Sequence, residues 1–241
     1  MRKFLKSFNL AEWLIWGCSV VAVIISFFVF KNDQWHYLIG SLIGFTALIF
    51  VSKGNPTGQA LTIVFSVFYG VISFSFEYYG EMITYLGMST PMAVAALIAW
   101  VRNPYKGKKS EVKVNSLSKK EWCIFLAAAA AVTVAFYFIL KALNTANLII
   151  STASVLTSFI AAYLNMRRNK FYAVAYACND VVLIVMWIMA SIDSITYLPM
   201  VICFIAFLAL DAYGFINWSI IEKRQKNSAV EQIDANEDEN A

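Results

Sequence analysis

Apolar residues in this chain run in long blocks separated by short polar breaks. A helix needs about 20 apolar residues to cross a bilayer core. Eight windows reach or approach that length: 12–30, 37–52, 60–78, 82–101, 122–141, 147–165, 171–190 and 196–221. Turn chemistry separates several of them, at Lys53-Gly54-Asn55-Pro56-Thr57-Gly58, at Arg102-Asn103-Pro104-Tyr105-Lys106-Gly107 and at Asn165-Met166-Arg167-Arg168-Asn169-Lys170. The pattern predicts an all-α membrane protein of eight transmembrane helices. Pro91 is expected to bend the fourth, with the Ser89 and Thr90 hydroxyls satisfying freed backbone groups. The stretch from Ser228 to Ala241 is polar and acidic with no apolar period, and is expected to be a disordered, solvated tail.

Composition agrees. Of the 241 residues 60% are hydrophobic and 14% charged, with a mean hydropathy of +0.65, against about 25% charged residues in soluble domains. The first window follows a basic start (Arg2, Lys3, Lys6), but no small-residue cleavage site follows Phe30 and further spans come after it. A retained helix is expected there, not a signal peptide.

Charge sets the orientation. Basic residues stay on the cytoplasmic side in short loops. Threading eight spans from a cytoplasmic N-terminus puts 17 of the 19 Lys and Arg inside and leaves only Lys31 and Lys141 outside. The outer connections then hold Asp33, Glu77, Glu81 and Asp193. Both termini are expected in the cytoplasm of a multi-pass cell-membrane protein. The seven basic residues from Arg102 to Lys120 are explained by this topology, so no nucleic-acid partner is expected.

A duplication organises the spans. Glu81-Met82-Ile83-Thr84-Tyr85-Leu86-Gly87-Met88 recurs 112 residues later as Asp193-Ser194-Ile195-Thr196-Tyr197-Leu198-Pro199-Met200. Each copy opens a span on the outer side and follows two others. An odd number of crossings between the triplets makes them two parallel three-helix repeats joined by a linker helix, with an extra N-terminal helix. The expected divisions are 1–36 for that helix, 37–101 for the first repeat, 102–146 for a cytoplasmic loop and the linker, 147–221 for the second repeat and 222–241 for the tail. Such repeats are typical of carriers with a site near the midplane.

Ionisable groups in the lipid core are costly and mark cavities or partners. Asp180 follows Asn179 in the seventh span; Asp211 lies in the eighth, with Asn217 six residues on. No mid-span Lys or Arg pairs with either aspartate. Trp187, two turns beyond Asp180 on the same face, could stack on a ligand ring. Tyr85 and Tyr197 recur in both copies of the motif. Substrate-binding candidates are therefore Asn179, Asp180, Asp211, Trp187, Tyr85, Tyr197 and Asn217. Each has a structural alternative, in helix–helix hydrogen bonding for the polar groups and interfacial packing for the rings.

Other chemistries lack signals. The four cysteines sit in apolar segments far from CxxC spacing, and the single histidine, His36, cannot build a histidine-rich metal centre. No phosphate-loop, nucleophile-elbow or HExxH motif is present, and no span carries a lysine for retinal. An intramembrane enzyme using Asp180 and Asp211 stays open as an alternative from a different class.

The run Tyr78-Tyr79-Gly80-Glu81-Met82-Ile83-Thr84-Tyr85, then Pro91-Met92 and Trp100, resembles the first repeat of the PnuC transporters. Asn179 and Asp211-Ala212-Tyr213-Gly214-Phe215-Ile216-Asn217-Trp218 resemble the second, so the likeness covers residues 37–220. It implies a bundle similar to the SWEET transporters, a homotrimer, and facilitated uptake of nicotinamide riboside with trapping by a cytoplasmic kinase. No cofactor is implied. Asn179 takes over the family asparagine's role. Ala93 stands where many members have glutamine, and Leu97, Tyr172 and Ala175 stand where tryptophans are common. Carriers of deoxynucleosides, thiamine or riboflavin on the same fold are the alternatives.

Overall fold

A computed structural model of the protein describes residues 8–30, 35–75, 79–145 and 147–239. Its elements are α1 (Leu10–Val29), α2 (Trp35–Ser52), α3 (Pro56–Ser75), α4 (Tyr79–Val101), a hairpin of β1 (Pro104–Tyr105) and β2 (Lys108–Val112), α5 (Lys119–Ala142), α6 (Leu148–Met166), α7 (Tyr172–Asp193) and α8 (Leu198–Glu239). Among the described residues seven helices are long and apolar enough to cross a membrane. The eighth, α3, has 20 residues, about 30 Å at 1.5 Å per residue. Their outer faces carry large uncovered apolar side chains such as Phe28, Ile124, Phe138, Ile149 and Ile192, a surface suited to lipid and not to water. Arg2, Lys3, Lys6, Lys31, Asp33, Glu77 and Tyr78 lie outside the described residues.

The packing is that of two parallel repeats. In the first, α2 packs on α3 and α3 on α4; in the second, α6 packs on α7 and α7 on α8. Between repeats α2 meets α8 and α4 meets α6, the two contacts that a half-turn about an axis along the bundle exchanges. The linker α5 packs on α6, and α1 covers α2 and α8.

The β-hairpin marks one end of the bundle, called here the hairpin end. There the α2–α3 and α6–α7 turns have the same backbone. Gly54 N donates to Val51 O (2.9 Å) and Asn55 N to Phe50 O (3.0 Å); Arg168 N donates to Asn165 O (2.9 Å) and Asn169 N to Leu164 O (3.0 Å). Gly54 and Arg168 are both left-handed, at φ of 65° and 59°. Asn55 Oδ1 then accepts from Thr57 N, and Asn169 Oδ1 from Phe171 N. Each is a left-handed helix stop followed by an Asx turn.

Tryptophan repeats the symmetry. Trp100 of α4 donates its indole N–H to Asn165 O at the end of α6 (2.9 Å), and Trp218 of α8 donates to Val51 O at the end of α2 (2.9 Å). Each repeat thus closes on the other's first helix. The two rings are fully buried with centroids 5.4 Å apart.

The hairpin and the residues after it strap this end. Val112 N donates to Gly54 O (2.9 Å) and Asn115 N to Arg168 O (3.0 Å), so they grip both left-handed residues. Gln225 of α8 accepts from Val114 N and donates to Val112 O. The start of α1 is also fixed here. Asn9 and Glu12 form a capping box, and the buried Glu12 carboxylate accepts from Lys53 Nζ (2.8 Å) and the Tyr213 hydroxyl (3.0 Å).

Two local expectations are corrected. The stretch from Ser228, expected to be irregular, continues α8 as helix through Glu239. It has no Gly or Pro to stop it and is rich in good helix formers. At Pro91, α4 adapts by widening its turn: Thr84–Ser89 is π-helical and Thr90 N donates to Tyr85 O. The Thr90 hydroxyl has no hydrogen-bond partner, so it does not serve the freed backbone groups.

Candidate functional site

A cavity of about 640 Å³ lies between the two repeats, within the 300–1,000 Å³ of small-molecule sites. It extends from the end opposite the hairpin, where Tyr79, Glu81, Asn144 and Asn147 line it, down to Gln59 and Asn165. Beneath that floor lies the Trp100–Trp218 pair.

The half away from the hairpin is aromatic. Tyr69 lies 4.8 Å from Phe65, 5.3 Å from Tyr85 and 5.9 Å from Tyr37, between ring centroids. Trp187 lies 6.3 Å from Tyr37 and 5.8 Å from Tyr197. The duplicated tyrosines reach this wall differently, Tyr85 from the π-helical turn of α4 and Tyr197 from the short 3₁₀ turn before α8.

The deeper half is polar. Asn179 Oδ1 accepts from Thr157 Oγ1 (2.8 Å) and Ser158 Oγ (2.9 Å) on α6, which fixes the amide and leaves its Nδ2 as a donor at the cavity wall. Asp180 and Asp211 are buried, 5% and 3% exposed, and both line the cavity as neighbouring carboxyl groups. Gln59 Nε2 donates to Asn165 Oδ1 (3.0 Å) and Asn165 Nδ2 to Gln59 Oε1 (3.4 Å), an amide pair joining α3 of one repeat to α6 of the other.

Six of the seven sequence candidates therefore meet in one cavity: Asn179, Asp180, Asp211, Trp187, Tyr85 and Tyr197. Asn217 is not among its lining residues; its Nδ2 donates to Ser52 O (2.8 Å) and serves the end of α2. Of the four positions that depart from the PnuC pattern, only Ala93 lines the cavity. Tyr172 is buried against Trp218, and Ala175 packs in the same hairpin-end cluster. Sequence reasoning missed Gln59, Asn165, Tyr176, Tyr37 and Tyr69.

Two parallel three-helix repeats around a solute-sized cavity, floored at one end, define a membrane transporter of the carrier type. The chain belongs to the nicotinamide mononucleotide transporter family, which it matches over residues 34–220. It is 26% identical over 218 residues to the nicotinamide riboside transporter PnuC of Neisseria mucosa, covering 89% of this chain and 82% of that one. With the transporter of the same name from Haemophilus influenzae it shares 21% over 212 residues, covering 88% and 91%. Its fold matches the crystal structure of the vitamin B3 transporter PnuC with a TM-score of 0.76 at 23% identity, over 90% of this chain and 94% of that one.

Proposed function

We propose that this chain is a facilitative carrier, not an enzyme, for a nucleoside-like vitamin precursor, nicotinamide riboside first. The observation that carries the reading is the cavity itself: one face of aromatic rings and one of hydrogen-bonding groups, at the interface of the two repeats. A heteroaromatic base fits the wall of Tyr69, Tyr85 and Trp187, and the hydroxyls of a sugar fit Asn179 and the carboxyl pair. The names of the curated relatives support this choice of solute.

The hairpin end carries most of the described Lys and Arg, and the ion pairs Lys53–Glu12, Lys170–Glu222 and Arg224–Glu111 lie there. By the rule for basic loops it is the cytoplasmic end, with both termini inside and the cavity reached from outside. The carrier sits in the cell membrane as a homotrimer, uses no cofactor, and its product is trapped by a cytoplasmic kinase.

Purified protein in liposomes without any ion gradient is expected to equilibrate labelled nicotinamide riboside, and Asn179→Leu to abolish this. Uptake only under a proton or sodium gradient would overturn the facilitative mechanism. Lack of binding and transport of the riboside would overturn the choice of solute.

A further inference from the structure

We infer that the cavity recognises its solute as a cation, with the Asp180–Asp211 carboxyl pair as the counter-charge and the nearby rings as the wall for a heteroaromatic group. The inference rests on the carrier reading above and adds to it the charge of the solute and the residues that read it.

Three carboxyl groups line the cavity (Glu81, Asp180 and Asp211), and among the described residues no Lys, Arg or His does. The aspartates are the buried pair at its deep end. Two neighbouring buried carboxyls do not both ionise unaided, and a cation beside them favours loss of a proton from one. No N–H or hydroxyl donor among the described residues reaches Asp180 Oδ2.

Glu12 provides the contrast. It is equally buried, at 2% exposed, yet Lys53, Tyr213 and the cap of α1 all serve it. A buried charge persists where it is paired or hydrogen-bonded. At Asp180 the protein supplies no cation, so a positively charged solute is the partner that completes the site.

The rings add to the same preference. Tyr176 lies one turn before Asp180 on α7, and Phe207 one turn before Asp211 on α8, so each ring is on the same side of its helix as the carboxyl it accompanies. Both line the cavity. Aromatic faces attract cations through the ring quadrupole, and a pyridinium-type ring satisfies rings and carboxyls together. Anionic solutes, phosphorylated ones included, meet carboxyl groups and no cationic side chain among the described lining residues.

The test compares nicotinamide riboside with its 1,4-dihydro form, which keeps the ribose and carboxamide and loses the positive charge. Thiamine serves as a second, unrelated heteroaromatic cation. Binding to the full-length protein is measured by calorimetry and transport in liposomes. The oxidised riboside is expected to bind at least about tenfold more tightly than the dihydro form. Asp180→Asn and Asp211→Asn should each bring that ratio towards one, weakening the cation by a larger factor than the dihydro form.

Equal affinity of the native protein for the two forms overturns the inference and leaves the carrier reading intact. So does an undiminished ratio in both folded variants. The ratio in the native protein needs no variant, so it decides even if the substitutions prevent folding. Binding of thiamine but neither riboside form, lost in the variants, sinks the riboside and upholds the cation. Binding of none of the three sinks both.

Discussion

Gln59 and Asn165 show what single residues do at the floor of the cavity. Each amide is buried, and each satisfies the other across the two repeats. Replacing one by leucine leaves its partner's amide stranded without that bond, at a cost of about 1–3 kcal/mol. Replacing both removes the stranded group. Gln59→Leu and Asn165→Leu are therefore each expected to lower the Tm in detergent, and the double variant to lie above the sum of the two losses. Additive losses would show that the pair is not coupled. Neither residue stood out in the sequence, because a polar side chain at the edge of an apolar window looks the same as the start of a loop. Asp180 and Asp211 were legible because they lie well inside their windows. Helical geometry separates the other two candidates: seven residues from Asp180 bring Trp187 back to the same face, whereas six residues from Asp211 carry Asn217 round to another. That second step was readable in the sequence, and it accounts for Asn217 serving α2 instead of the cavity.

Among the elements, the third helix of each repeat does the equivalent task at the hairpin end, through Trp100 in α4 and Trp218 in α8. Their reciprocal bonds to Asn165 O and Val51 O hold each repeat against the other's first helix. Truncating either ring to alanine removes packing worth about 3–5 kcal/mol and confounds closure with folding. Phenylalanine keeps a ring and removes only the donor. In a cysteine-free background carrying Ala96→Cys, a buried residue of the cavity lining, Trp100→Phe and Trp218→Phe are each expected to speed labelling by a thiol reagent applied from the hairpin end. The two increases should agree within about a factor of three, since each variant loses one indole hydrogen bond of about 1 kcal/mol. An effect confined to one tryptophan would show that the latch is not symmetric. The element-level symmetry was only partly legible. The octapeptide duplication revealed the repeat and its parallel sense, and eight windows matched eight helices. The closer structural correspondence, between the Gly54 and Arg168 turns, joins a glycine to an arginine and leaves almost no sequence identity to detect. Shared backbone conformation carries it, with the Asx-turn asparagines Asn55 and Asn169 as the one shared side chain.

At the scale of the whole molecule, the strap from Asn103 to Asn115 decides how freely the two repeats can move apart. Rocking one three-helix unit against the other separates the α2–α3 turn from the α6–α7 turn at the hairpin end. The strap is bonded to both, through Val112 to Gly54 and through Asn115 to Arg168, so it resists that motion. Its hold depends on Gln225, whose side chain satisfies Val114 N and Val112 O from α8 and also donates to Glu111. Gln225 is remote from the cavity, so its removal leaves the groups that would touch solute unchanged. Gln225→Ala is expected to loosen the strap and raise labelling of Ala96→Cys from the hairpin end. It should speed solute exchange in liposomes while leaving equilibrium affinity in detergent within about twofold, because no bond to solute is lost. Faster labelling with unchanged affinity identifies the strap as a restraint on opening. Unchanged labelling and unchanged exchange would mean that the hairpin end opens without moving the strap, and that the two turns travel together through the cycle.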